Sequence, residues 1–298
     1  MSEMTRRESS FVLLSVPLLA GCHSGRPGEP ESSWSIALER IEAQRGGRIG
    51  VAAMDLQSGT FLGHRADERF AMCSTFKWIL GGLILLQVEA SQEDLQREVA
   101  ITPEDMIFHA PTTAPAVGSS LTIETLCAAT IANSDNPAAN LLLKTLGGPT
   151  GFTKRLRDLG DDMTRLDRYE PDLNIVGGGD LRDTTTPRAM LTLMQGFVFG
   201  EILQPGSRTI LRDWMLGATT GANRLTAGLP DGWRLGHKTG TNSETINNDV
   251  GFALPPMTET QTPILVVSFS DAPGAFSDPA NKAHANVMKQ VFESFARV

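Results

Sequence analysis

The sequence predicts an α/β fold in two parts, with both ends of the chain in one α/β layer and the middle in an all-helical domain. Three observations carry this. Extended runs at 48–55 and 60–64 near the start are answered by runs at 234–241, 248–254 and 263–270 near the end. Between Ser74 and Leu216 the apolar residues recur at helical spacing. The last stretch, from Asn281 to Val298, carries Ala283, Val287, Met288, Val291, Phe292 and Phe295 on one side and needs a sheet or helix to cover them. The expected boundaries are 33–66 with 217–298 for the α/β domain and 67–216 for the helical one.

The elements follow in order. Arg6 and Arg7 precede an apolar stretch from Phe11 to Ala20, too short to span a bilayer, and 1–22 is expected to be an export signal. It ends in Leu19-Ala20-Gly21-Cys22, which resembles the lipobox of bacterial lipoproteins, so Cys22 is the candidate acylated residue. Ordinary signal cleavage nearby is the alternative. Arg6-Arg7 also hints at twin-arginine export, although Phe11 lies too far downstream for a good match. A Gly/Pro/Ser-rich tether covers 23–32, and Trp34 to Gln44 has helical spacing. Gln57-Ser58-Gly59 separates two extended runs and predicts a hairpin. Helices are then expected at Ser74 to Glu89, Thr122 to Asn133, Pro137 to Leu146, Gly151 to Leu159, Pro187 to Phe199 and Ser207 to Leu216. Segment 165–183 is polar, contains Gly177-Gly178-Gly179, and is expected to be a long functional loop.

Composition narrows the function. The 298 residues are 41% hydrophobic, an ordinary globular balance. A formal charge of -8, with no basic run, argues against a nucleic-acid partner. Of three cysteines, Cys73 and Cys127 remain if Cys22 is lipidated. A bridge between them would pull on the backbone at Ser74, so two free thiols are expected. No His-x-His or clustered His/Cys/Asp arrangement offers a metal site, and no Gly-rich phosphate loop appears, so no cofactor is expected.

Four strings carry the chemistry: Ser74-Thr75-Phe76-Lys77, Ser134-Asp135-Asn136, Glu170-Pro171-Asp172-Leu173-Asn174 and Lys238-Thr239-Gly240. Ser74 and Lys77 share one face of a helix start, which lets the lysine reach the serine hydroxyl. Lys77 then either loses its proton as base or stays charged and stabilises the alkoxide. Alone, Ser-x-x-Lys arises about once by chance in such a chain and also describes a helix cap with a solvated lysine. Ser134 can pass a proton to a departing amine, Asn136 can meet a substrate carbonyl, and Asp135 can hold the turn through backbone N–H groups. A plain helix cap explains the triplet equally well. Lys238, Thr239 and Gly240 end a strand, where they suit an anionic ligand, and the N–H groups of Ser74 and Thr241 could form an oxyanion hole. Glu170 and Asn174 are placed to hold a water if charge pairs, notably Arg168 with Asp183 and Arg165 with Asp167, close the loop's neck.

Three uncommon strings and a carboxylate loop in one order, in an exported chain, are highly specific as a set. The set resembles the class A serine β-lactamases, and the resemblance runs from Trp34 to the C-terminus. It implies an antiparallel sheet flanked by helices, an all-helical domain and an active site in the cleft between them. It also implies hydrolysis of the β-lactam ring of penicillins and cephalosporins, with resulting antibiotic resistance, by an exported periplasmic monomer. By position, Ser74 is implied as nucleophile, Lys77 as its partner, Ser134 as proton relay and Glu170, aided by Asn174, as activator of the hydrolytic water. Asn136, Lys238, Thr239 and Thr241 are implied as substrate contacts. Many members add an arginine near the carboxylate site, for which Arg224 is the candidate here. Two departures stand out. Gly81 occupies the place of the usual partner of Cys127, and Asn242 that of a partner of Cys73 in some carbapenem-hydrolysing members, so neither bridge is expected. His109 occupies a cleft-edge position that is often aromatic. The competing readings are a penicillin-binding D-alanyl-D-alanine peptidase, which lacks the loop glutamate, and a lipid-anchored β-lactam sensor.

Overall fold

Alternation along the strands decides which layer each side chain joins. The computed structural model describes residues 33–256 and 262–296, so the expected export signal, Cys22, the tether at 23–32 and the chain's last two residues lie outside the described part. In chain order, α1 (Ser33–Arg45) leads to β1 (Arg48–Asp55), β2 (Phe61–His64) and the two-residue β3 (Phe70–Ala71). The middle holds α2 (Phe76–Glu89), β4 (Glu98–Ala100), β5 (Ser120–Thr122), α3 (Ile123–Ala132), α4 (Asn136–Leu146), α5 (Gly148–Asp158), β6 (Thr184–Thr185), α6 (Pro187–Met194) and α7 (Pro205–Leu216). Three strands, β7 (Arg234–Thr241), β8 (Ile246–Leu254) and β9 (Ile264–Asp271), precede α8 (Asp278–Phe295).

The main sheet has the order β2-β1-β9-β8-β7 with every neighbouring pair antiparallel. Successive residues of a strand face opposite sides. Val51, Ala53, Ala253, Ile264 and Val266 therefore join Leu38 of α1 and Val287 and Val291 of α8 in one core. Ala52, Val250, Phe252, Leu265, Val267 and Phe269 point the other way, into a larger core shared with α2, α3, α4 and α6. The described residues fall in one compact unit with a core on each face of the sheet.

The centre of the helical part is α2. Phe76, Trp78, Ile79, Leu80, Leu83, Ile84 and Leu85 are all buried, so the helix is covered all round. Each such side chain stabilises the fold by roughly 2 kcal/mol. Gly81 explains why one bridge is missing: a Cβ there would lie 2.6 Å from Cδ1 of Ile131, which fills that space. Cys73 and Cys127 are both free and buried, as expected. Capping agrees with the sequence, since Thr122, Asp135, Thr186 and Ser277 each accept a backbone N–H from the first turn of their helix.

Two expectations shift. The helix expected to run to Phe199 ends at Met194 and continues as one wide π turn over Gln195–Phe199, which sets Phe197 edge-on against Trp78 at 6.1 Å. The strand expected from Asn248 starts at Ile246, because Asn247 and Asn248 pair with β9 despite their polarity.

Candidate active site

A 3-10 turn over Cys73–Thr75 joins β3 to α2 and presents half-buried Ser74 just before the first turn of the helix. Cys73 holds a left-handed φ of 44° to make that turn. Gly240 allows β7 to lie against it, since a Cβ there would meet Met72 O at 2.5 Å and Thr75 N at 3.0 Å. The strand bearing Lys238 is thus brought onto the turn bearing Ser74.

Lys77 is fully buried, and its ammonium is surrounded by oxygens. Nζ donates to Asn136 Oδ1 at 2.5 Å and to Ser134 O at 3.0 Å, and lies 3.0 Å from Glu170 Oε1 and 3.4 Å from Ser134 Oγ. Ser74 Oγ donates to the same Glu170 Oε1 at 3.3 Å. The expected reach of Lys77 to Ser74 is therefore corrected: the two meet at one carboxylate oxygen rather than through a direct hydrogen bond. The cause is the turn at Ser134, whose left-handed φ of 62° aims its carbonyl at Nζ while Asn136 draws the ammonium the same way. Burial pulls the Lys77 pKa below its ordinary value, and the charge of Glu170 opposes that pull.

Asp135 does what its place in the turn predicts. It has no exposed surface and accepts from Thr112 N, Thr113 N, Thr113 Oγ1 and Ala138 N at 2.9–3.0 Å, tying segment 112–113 to the start of α4. Asn136 Nδ2 reaches Phe108 O at 2.9 Å. His109 Nε2 donates to Asn133 O at 2.8 Å, and the aromatic ring most open to solvent beside it is Phe108, 80% exposed.

Glu170 is 3% exposed and is held from three sides. Asn140 on α4 clamps its backbone, donating to Glu170 O at 2.9 Å and accepting from Glu170 N at 3.0 Å. Asn174 Nδ2 donates to Glu170 Oε2 at 2.7 Å, and Asn174 Oδ1 is buried without a hydrogen-bond partner among the described residues. The Glu170–Pro171 peptide is cis. Both expected charge pairs are present at the neck. Arg168 Nε donates to Asp183 Oδ2 at 2.6 Å, and Arg165 Nη2 to Asp167 Oδ1 at 2.5 Å. Asp183 Oδ1 also accepts Asp167 N and Arg168 N, and the short β3–β6 pair closes the loop's base.

On the opposite wall, Lys238 is fully buried and Thr239 Oγ1 meets Thr220 Oγ1 at 2.8 Å. Burial, then the charges of Lys77 and Arg224, push the Lys238 pKa well down. Arg224 donates to Thr241 Oγ1 and to Asn248 O, both at 2.8 Å, so a second cation does stand beside the Lys-Thr-Gly strand. Asn242 Oδ1 accepts the N–H groups of Glu244, Thr245 and Ile246, which shapes the β7–β8 turn. Among the described residues no group of His, Cys, Asp or Glu could hold a metal ion, and no helix is long and apolar enough to cross a membrane.

Sequence reasoning missed Asn140, Thr220 and the buried pair His237–Asp249. Only Asn140 had a usable signal, as it lies one helical turn after Asn136.

A serine hydroxyl and a buried ammonium at one carboxylate, with further cations across the cleft, define an activated-serine hydrolase for an anionic acyl substrate. Residues 35–295 match the model of the β-lactamase enzyme family. The chain is 40% identical over 281 residues to β-lactamase FAR-1 of Nocardia farcinica, covering 90% of this chain and 88% of that protein. It is 43% identical to β-lactamase L2 of Stenotrophomonas maltophilia, over 81% of each. Among solved structures, an ancestral (GNCA) class A β-lactamase superposes with a TM-score of 0.85 at 43% identity, covering 88% of this chain and all of that one. A β-lactamase from Xanthomonas campestris gives 0.84 at 39%, covering 87% and 96%. The chain belongs to the β-lactamase enzyme family, in its class A, and its activity is hydrolysis of β-lactam antibiotics by a serine enzyme.

Proposed function

We propose that Ser74 is the nucleophile that opens the lactam ring and that Glu170 frees the product. The observation that carries this is the meeting of Ser74 Oγ and Lys77 Nζ at Glu170 Oε1. In acylation the Ser74 hydroxyl loses its proton to Glu170, and Oγ attacks the lactam carbonyl. Lys77 holds the carboxylate in place and offsets the charge that develops. The N–H groups of Ser74 and Thr241 stabilise the oxyanion. The carbon–nitrogen bond then breaks and Ser134 passes its proton to the nitrogen. The proton held by Glu170 returns to Ser134 through Lys77, which lies between them, and this leaves Glu170 ionised for the second step. In deacylation Glu170 takes a proton from a water that attacks the ester carbonyl, then returns that proton to Ser74 Oγ as the ester bond breaks and the penicilloic acid leaves. The unpartnered Oδ1 of Asn174 offers that water a second hydrogen bond. Asn136 meets the substrate's amide side chain, while Lys238, Thr239, Thr241 and Arg224 hold its carboxylate.

Segments 33–66 with 217–298 and segment 67–216 serve in this reading as two domains flanking the cleft. The motif at Leu19–Cys22 supports export with Cys22 acylated, and we read the mature protein as a monomer. Purified protein should turn over nitrocefin many times per molecule, and Ser74→Ala should abolish turnover. A single burst equal to the enzyme concentration would favour the cell-wall peptidase or sensor reading instead.

A further inference from the structure

Asp249, at the middle of β8, is a carboxylate with no exposed surface and no part in the chemistry above. Its Oδ1 lies 2.7 Å from Nδ1 of the buried His237, and its Oδ2 accepts the N–H of Leu225 at 3.2 Å. The register explains the meeting. Thr239 pairs with Asp249, so His237, Thr239 and Asp249 project from one face of the sheet while Lys238 projects from the other. Leu225 directly follows Arg224, whose guanidinium is gripped by Asn248 O, one residue before Asp249. Two consecutive residues of β8 thus hold two consecutive residues of the segment that carries the second cation.

A buried carboxylate is tolerated only where charges and donors answer it. The groups that answer Asp249 are His237, the Leu225 N–H and the positive charges of Arg224 and Lys238. Its own charge opposes the downward pull that burial exerts on both cations.

We propose that Asp249, oriented by His237, is a positioning residue for substrate-carboxylate recognition. It fixes segment 224–225 so that the guanidinium stays beside Thr241, where the carboxylate arrives. This rests on the reading of Arg224 as a carboxylate-binding cation.

The test compares kcat/KM for a penicillin with that for its methyl ester, in wild type, Asp249→Ala, His237→Leu, Arg224→Ala and Arg224→Ala/Asp249→Ala. The acid-to-ester ratio reads the cation's contribution on folded enzyme alone, so partial unfolding does not move it. In Asp249→Ala the ratio should fall about tenfold, through KM for the acid, and the double variant should fall no further than Arg224→Ala. His237→Leu should lower the ratio in the same direction, which keeps the test open if Asp249→Ala does not fold. Equal losses for acid and ester, an unchanged ratio in folded His237→Leu, or additive losses in the double variant would each overturn the proposal while leaving Arg224 its role. An unchanged ratio in Arg224→Ala would remove that role and the proposal with it.

Discussion

At the scale of residues, one carboxylate oxygen organises the site. Glu170 Oε1 takes the Ser74 hydroxyl and lies against the Lys77 ammonium, while Asn174 keeps Oε2 turned toward the loop. Replacing Glu170 by Gln keeps the shape and removes the base. The variant should form the ester more slowly, with Lys77 as the remaining base, and release it more slowly still, with kcat lower by about a thousandfold. Mass spectrometry after mixing with benzylpenicillin should show the adduct of protein and intact drug, and a clean unmodified mass would refute the deacylation role. The residues proposed for this chemistry were legible because Ser74, Lys77, Ser134, Asn136, Glu170 and Lys238 sit in short strings in a recognisable order. Asn140, Thr220, His237 and Asp249 were not, since each acquires its partner only through tertiary register. A lone Asn on α4 does not announce that it clamps a loop thirty positions on.

At the scale of elements, the 165–183 loop depends on Asp183. That carboxylate is 1% exposed and is satisfied by Arg168 Nε and by two backbone N–H groups that it holds at its neck. Arg168→Ala removes the cation and leaves the carboxylate buried, a loss on the order of 3 kcal/mol that falls on the loop before the rest of the fold. Limited proteolysis should cut within 169–182 faster than in wild type, and ceftazidime turnover should change. An unchanged digestion pattern together with unchanged turnover would contradict this. The long elements were visible in the sequence, as α2, α8 and the five sheet strands show. The pairs β3–β6 and β4–β5 were not, because two or three residues carry no periodicity and owe their pairing to the loops around them.

At the scale of the whole molecule, His284 couples stability to pH. It is 1% exposed, between Ser268 Oγ at 2.7 Å and Asn247 O at 2.9 Å, under the sheet. Burial first, and then the Arg224 charge, draw its pKa down from 6.5 to about 4. The folded protein thus keeps the ring neutral where the unfolded chain would protonate it. Its contribution is fully present above pH 6.5 and is lost as pH falls toward 4, roughly 3 kcal/mol in all. Urea unfolding at pH 7.5 and 4.5 should show that loss in wild type and a smaller one in His284→Gln, and equal losses would refute it. The sheet itself sets a different constraint, one of time. Its first strand, β1, lies between β2 and β9, and Arg48 reaches a partner, Asp271, 223 positions later. A chain still emerging from the ribosome has no β9 to pair with, so it can build neither the sheet nor the cleft wall that carries Lys238. Such ordering by distant contacts slows folding. It keeps the polypeptide silent toward antibiotics until its C-terminal segment is available to pair.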